Sequence, residues 1–349
     1  MNNSEYKAAQ AAKPCVSLIV PAYNAQEVLP RCLDSLISQT FTSFEVLVVD
    51  DGSKDRTGAV CGEYAASDPR IRLLKQKNAG PAAARNKGLE QAAGRYIGFV
   101  DSDDWIEPDF LETLVRTMEE GREPACMAVC GLVLAGSLEG RAYQPPRSGT
   151  LTRAQALEAI MYADGILAAV WNKLYDASLI RKEKIRFMPD LYLCEDLVFN
   201  TRYLTLAEGG INVCERQLYH YQPAPTGAVI GQFAKKTDPR KHASEFEALC
   251  RAGELLEASG EDKNENVLRA WKARTSKAAV NTLRFMTAQG TSDPVLKKRL
   301  SRFVRANLVS YLKNPRNPAS SKVSVLTACF SSKVEYGIWK VRFRNRSGL

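Results

Sequence analysis

The sequence predicts an α/β fold, a mostly parallel sheet with helices on both faces, followed by a helical C-terminal region. Three observations carry this expectation. Short apolar, β-branched runs alternate with stretches of helical periodicity over roughly the first hundred residues. Each run stops at polar residues or a Gly/Pro turn, so the strand-to-helix loops should open on one edge of the sheet. From about Pro239 the pattern is helical with polar faces, broken at Ser259-Gly260 and from Gln289 to Pro294.

Cys15 to Val20 reads as the first strand, ended by Pro21-Ala-Tyr-Asn24 because proline has no donor for the ladder. Gln26 to Gln39 carries Val28, Leu29, Cys32, Leu33, Leu36 and Ile37 at helical spacing. Phe44 to Val49 is a second strand that runs into Asp50-Asp-Gly-Ser-Lys-Asp55. A helix over Thr57 to Ala66 and a strand over Ile71 to Leu74 follow, and Gly80-Pro81 opens a helix reaching Ala92. Tyr96 to Val100 is a buried strand that leads into Asp101, Asp103 and Asp104 and is closed by Trp105. Next come a helix over Glu107 to Glu119, a strand over Ala125 to Leu134, and a loop over Arg141 to Thr150. A Thr-capped helix over Thr152 to Tyr162, the segment Val170 to Tyr175 and a helix over Ala177 to Lys182 follow. Glu195-Asp196 precedes an apolar helical pattern, Val213 to Tyr221 is a strand, and Pro223 to Lys236 is loop. Asn314 to Ser321 has linker composition, and no internal repeat is present. The expected division is a disordered or loosely held N-terminus (1–14), a sheet domain (15–235) and a basic, mainly helical region (236–349).

Composition narrows the classes. The 349 residues are 45% hydrophobic, which suits an ordinary globular core. The longest apolar run, Ala125 to Ala135, is interrupted by Gly131 and too short for a bilayer. Met1 to Lys13 lacks the apolar core of a signal peptide. The nine cysteines are scattered without CxxC pairs, and Cys126 and Cys130 have no companion ligands for zinc. Reduced thiols and a cytoplasmic location are therefore expected. The net charge of +9 is uneven: 264–349 carries 18 Lys and Arg against three acids, +15, leaving −6 for 1–263. A basic tail on an acidic body suggests contact with an anionic surface. An anionic membrane leaflet, which would make the chain peripheral on the inner face of the cell membrane, and a merely solvated helical face are both open. Nucleic acid is not expected, since no recognised binding motif accompanies the charge.

Four clusters carry chemistry. Asp101, Asp103 and Asp104 at a strand end repel one another unless a cation such as Mg²⁺ or Mn²⁺ sits among them; the alternative is a polar turn. Helix capping accounts for Ser53 and Asp55 but leaves Asp50 beside Asp51, where a carboxylate could accept from a base N–H or a ribose hydroxyl. Lys77 and Arg85 suit phosphates, or Arg85 pairs with an aspartate. Glu195-Asp196 is either a general base pair or acids stabilised at a helix start. Asn24, Asp50, Asp51, Lys77, Arg85 and Asp103 should converge.

Val20-Pro-Ala-Tyr-Asn24, Val49-Asp-Asp-Gly-Ser-x-Asp55, Lys77-Asn-x-Gly-x-x-x-Ala-Arg-Asn86 and Gly94-x-Tyr-x-x-Phe-x-Asp-Ser-Asp-Asp104 resemble, in order and spacing, the family 2 glycosyltransferases of the Rossmann-like GT-A fold. The likeness is dense from Val16 to Leu114 and thin past Tyr221; Trp171-Asn-Lys173 and Glu195-Asp196-x-x-Phe199 resemble members that build bacterial surface polysaccharides. It implies inverting transfer from a nucleotide-sugar, usually a UDP-sugar, with Mn²⁺ or Mg²⁺, to a glycan or lipid-linked acceptor. It implies that Pro21, Tyr23 and Asp51 hold uracil and ribose, with Asn24, Asp50, Ser53, Lys77, Arg85 and Asp101 also on the nucleotide. It implies Asp103 at the metal, Asp196 as base with Glu195 beside it, and Asp104, Trp171, Asn172 and Lys173 toward substrate. One departure is that Tyr219-His-Tyr-Gln-Pro-Ala-Pro-Thr226 lacks the diphosphate-binding Arg of many members. His220 is either its substitute or packed structure. A nucleotidyltransferase is the other enzyme class, but its Gly-rich loop after the first strand is missing. A basic membrane- or anion-binding module with a degenerate transferase domain is a third reading.

Overall fold

The computed structural model describes residues 13–120, 125–135, 142–143, 149–162, 168–223, 243–291 and 293–347. The expected loose N-terminus, the loop after Pro223 and the boundary at 235/236 fall outside these residues, except Lys13, Pro14 and Pro223 themselves.

β1 (Val16–Ala22), β2 (Phe44–Asp50), β3 (Ile71–Lys75) and β4 (Tyr96–Phe99) alternate with α1 (Leu29–Ile37), α2 (Thr57–Ser67) and α3 (Pro81–Gln91). β2 is buried along its length and β1 nearly so, as strands covered on both faces must be. α3 lies flush on the sheet at Gly88, where an added Cβ would stand 2.4 Å from Ile19.

The remaining elements of this half are β5 (Trp105–Ile106), α4 (Phe110–Glu119), β6 (Met127–Leu134), β7 (Ala142–Tyr143), β8 (Gly149–Leu151), α5 (Arg153–Tyr162), β9 (Lys173–Asp176), α6 (Ala177–Lys182), α7 (Glu195–Leu206) and β10 (Ile211–Tyr221). The main path of the sheet is β3-β2-β1-β4-β9-β6-β10-β5, with β7 on β6 and β8 on β10. β1, β2, β3, β4, β6 and β10 all point one way, while β5, β7, β8 and β9 run against them. The carboxyl ends of β1, β2, β4 and β10 therefore share one edge. α5 begins with a reciprocal cap, in which Thr152 and Gln155 exchange backbone-to-side-chain bonds of 2.9 and 3.3 Å.

The structure corrects three local expectations. The Arg141 to Thr150 loop contains β7 and β8, because the edges of β6 and β10 supply ladder partners that no sequence period reveals. The helix expected from Glu107 starts at Phe110, since the Glu107 N–H is held by the Leu218 carbonyl at 2.9 Å beside β10. The linker-like stretch at Asn314 is a packed corner: Asn314 donates to the Tyr162 hydroxyl at 2.7 Å and Asn317 to the Tyr311 carbonyl at 3.0 Å.

The C-terminal region is α8 (Ser244–Ser259), α9 (Glu265–Gln289), α10 (Pro294–Ala306), α11 (Leu308–Lys313), α12 (Ala319–Phe330) and α13 (Ser332–Ser347). Asn264 and Asp293 cap α9 and α10 by accepting from backbone N–H groups. One buried apolar cluster runs from Ile19 and Phe99 in the sheet through Phe246 and Val267 to Leu300 and Val325. Ion pairs Arg299–Glu247 (2.5 Å), Arg316–Glu158 (3.1 Å) and Arg274–Glu245 (3.4 Å) join basic tail to acidic body. Among the described residues no helix is long and apolar enough to cross a membrane.

Candidate active site

The loops at the shared edge are laced together. Asn24 sits in the left-handed region (φ 48°), a conformation asparagine tolerates. Its N–H donates to Ser53 Oγ at 3.0 Å and its Oδ1 accepts from the Lys54 N–H at 2.9 Å. Gly52 (φ 72°) passes so close to the Asn78 N–H that a Cβ would lie 2.7 Å from it. Tyr23 stands on the rim, 46% exposed, and Lys77 is exposed.

Asp50 and Asp51, expected on the nucleotide, are buried at the carboxyl end of β2. Asp50 accepts from the Ser53 N–H at 3.0 Å and is buried. Asp51 accepts from Gln76 Nε2 (2.7 Å), the Ala79 N–H (2.9 Å) and the Gly80 N–H (2.8 Å), so both oxygens are spent on shaping the β3–α3 loop.

Arg85 is the centre of the site. α3 carries it under the edge, 5% exposed, where it meets three carboxylates from two other segments. Its Nη2 donates to Asp101 at 2.8 Å, and its Nη1 to Glu195 at 2.9 Å and to Asp196 at 3.2 Å. Of the two sequence readings for Arg85, pairing with an aspartate is the one observed. Its Nε is buried without a hydrogen-bond partner among the described residues. Glu195 and Asp196 occupy the first turn of α7, at the positive helix end of the second reading, and from there they reach the Arg85 cluster.

Burial pushes the Asp196 carboxyl up to about 7, with Glu195 and Asp101 adding to the rise against the pull of Arg85 and Lys173. Asp103 is raised by burial and then by Asp101, and no side chain among the described residues donates to its carboxylate. Asp104, expected near substrate, is instead fully buried. It bonds the Tyr219 hydroxyl (2.6 Å) and the Gln222 N–H (2.7 Å), and burial and the neighbouring acids push it up to about 9.

Trp171, Asn172 and Lys173, expected toward substrate, are buried. Trp171 stacks on Tyr219 with ring centroids 4.4 Å apart. Asn172 donates to the Cys130 carbonyl at 2.7 Å. Lys173 is 0% exposed and donates to the Ala169 carbonyl at 2.7 Å and to Asn172 at 2.5 Å. Burial lowers its pKa to about 7. His220 is packed structure: it bonds Glu107 at 2.6 Å and stacks on Trp105 with centroids 4.9 Å apart. The Trp105 ring also carries Arg31, 3.8 Å from its centroid, whose Nη2 donates to the Asp103 carbonyl at 2.8 Å. Sequence reasoning missed Arg31, because nothing in a helix periodicity marks which exposed cation abuts a distant loop.

No group of three or more His, Cys, Asp or Glu among the described residues could hold a metal ion by itself. The donor set nevertheless fits a hard divalent cation: burial and then Asp101 raise the cost of ionising Asp103, and such cations complete their shells with phosphates and water.

The sequence model of Glycosyl transferase family 2 matches residues 17–178. The chain is 34% identical over 217 residues to the uncharacterized glycosyltransferase EpsJ of Bacillus subtilis (strain 168), covering 61% of this chain and 62% of that one. It is 37% identical over 217 residues to glycosyltransferase GlyA of Streptococcus pneumoniae, covering 59% of this chain and 30% of that one. The match thus spans under two thirds of these relatives' length. Among solved structures, S. aureus TarS 1-349 superposes with a TM-score of 0.64 at 20% identity, over 96% of this chain and 92% of that one. The mannosyltransferase PcManGT from Pyrobaculum calidifontis gives 0.52 at 15% identity, over 96% and 93%. These likenesses establish the GT-A fold.

Proposed function

We propose, from the match of residues 17–178 to the family 2 glycosyltransferase model, that the chain moves a sugar from a nucleotide-sugar, a UDP-sugar, to a hydroxyl of a glycan or lipid-linked acceptor in cell-surface polysaccharide synthesis. The observation that carries the proposal is the Arg85 cluster, in which one buried guanidinium holds a sheet-edge aspartate and the helix-start pair at the same opening. TarS complexes with UDP and with UDP-GlcNAc support a uridine donor, and the PcManGT complex with GDP-Man and Mn²⁺ supports a divalent cation. Relatives named chondroitin synthase support a polymer as product. Nine free thiols suit a cytoplasmic location.

In this reading Tyr23 and Pro21 flank the base at the rim, while Asp51 acts one step back by holding the loop that carries Lys77. Asp101 and Asp103 would hold Mn²⁺ or Mg²⁺, which supplies charge neutralisation for the departing diphosphate. Lys77 and Arg31 are the exposed cations placed to add to that neutralisation. Asp196 takes the acceptor hydroxyl proton as that oxygen bonds the anomeric carbon from the face opposite the diphosphate. The sugar–phosphate bond breaks with its electron pair going to phosphate, and configuration inverts. A pKa near 7 suits a base working at neutral pH. Arg85 orients the carboxylate and keeps Glu195 from repelling it. A screen of UDP-, GDP- and TDP-sugars with Mn²⁺, read as nucleotide release, tests the proposal: release from a UDP-sugar supports it, and release from none contradicts it. Nothing in the structure favours a nucleotidyltransferase.

A further inference from the structure

Eight large hydrophobic side chains stand exposed among the described residues. Tyr23 and Tyr192 are two of them; the other six, Val295, Val309, Val323, Leu326, Phe330 and Val334, all lie beyond residue 293. On α12, Val323, Leu326 and Phe330 are three and four residues apart, so they form one stripe along the helix. The opposite face, Val325, Ala328 and Cys329, is the one buried against the protein. Phe330 is 80% exposed, and Val334 at the start of α13 extends the apolar surface at 56%. A soluble helix that has already buried one apolar face has no structural use for a second.

The charge carried by the segment that holds the stripe is almost all of one sign. From Pro294 to Leu349 there are 13 Lys and Arg and a single acid, Glu335. Glu335 is 1% exposed and paired with Arg284, so it contributes no negative charge to the surface. Lys322 and Lys333 flank the stripe in sequence. Apolar side chains bordered by cations, in a segment whose single acid is buried, match the boundary of an anionic bilayer, where acyl chains meet negative headgroups. A second copy fits less well, because the same face would bring cations against cations. Nucleic acid would use the charge but not the stripe.

We propose that α12 and the start of α13 dock the chain on an anionic membrane leaflet, with Phe330, Leu326 and Val323 entering the acyl boundary and Lys322 and Lys333 at the headgroups. Docking does not depend on the transfer reading; its benefit does, since it would bring the site to lipid-linked acceptors.

The test is co-sedimentation of the full chain with phosphatidylcholine vesicles, with or without phosphatidylglycerol. Partition should be at least about tenfold stronger with phosphatidylglycerol and should fall as salt rises. Phe330→Asp should lower it about tenfold, as should Lys322→Glu with Lys333→Glu, with circular dichroism unchanged. The salt titration of the unaltered chain tests the proposal even if a variant misfolds. Equal partition to both vesicle types, or to neither, overturns the inference. So does an oligomer of the unaltered chain that Phe330→Asp dissolves, because a second copy would then cover the stripe. A chain that releases nucleotide but ignores vesicles overturns only this inference. One that binds vesicles but releases none overturns only the function proposed above.

Discussion

The Arg85 guanidinium stands 3.2 Å from the Asp196 carboxylate across 111 residues of sequence. That pair joins the first sheet loops to the start of α7. Removing one partner of a buried pair leaves the others uncompensated. Arg85→Met leaves Asp101, Glu195 and Asp196 together without their shared cation. We expect a loss of about 3 kcal/mol in urea denaturation. Arg85→Lys should retain more stability but lose turnover by about tenfold or more, since a point charge cannot bridge two segments as a fork does.

The acid limb of the turnover profile should report Asp196. A base works only when deprotonated, and its carboxyl is pushed up to about 7. Turnover at saturating donor should therefore fall as pH drops through about 7, and Glu195→Gln should move that limb to lower pH by removing a raising charge. The measurement is turnover against pH for both proteins.

Asp104 gives the opposite kind of signature, in stability. Its carboxyl is raised from the usual ~4 to about 9, so the folded chain binds this proton more tightly than the unfolded one. Stability from this group is present at low pH and is lost as pH rises from ~4 to about 9. Asp104→Asn keeps the shape and can still bond Tyr219 and Gln222. It should flatten the slope of unfolding free energy against pH through the neutral range.

Metal dependence is tested at Asp103. A chelator should stop transfer, and added Mn²⁺ should restore it. Asp103→Asn should lower turnover by about a hundredfold or more while leaving the melting temperature unchanged or higher, because a crowded, raised carboxylate is removed. Full activity in that variant would remove the metal role.

Much of this was legible beforehand, for physical reasons. The strand–helix alternation through β4 announced itself because buried parallel strands are near-continuous apolar runs. The lacing of Asn24 to the loop after β2 followed from the rule that such loops share an edge. Burial was not legible. Asp51, Asp104 and the Trp171-Asn-Lys173 segment have residue types that suit a ligand, yet their polar atoms are consumed by Gly80, Gln222 and Ala169. β5 and β9 escaped notice because two- and four-residue strands have no period to detect; the β10 and β4 edges that hold them are supplied from elsewhere in the chain. The stripe on α12 was hidden for a similar reason: only packing shows which apolar face is left outside.

The measurement closest to the central claim is turnover of Asp196→Asn at saturating donor, beside donor affinity measured separately. The account predicts turnover lower by about a hundredfold or more with donor affinity within about threefold of the unaltered chain. Turnover within about twofold of the unaltered chain, in a folded variant, would contradict it and send the proton to another group.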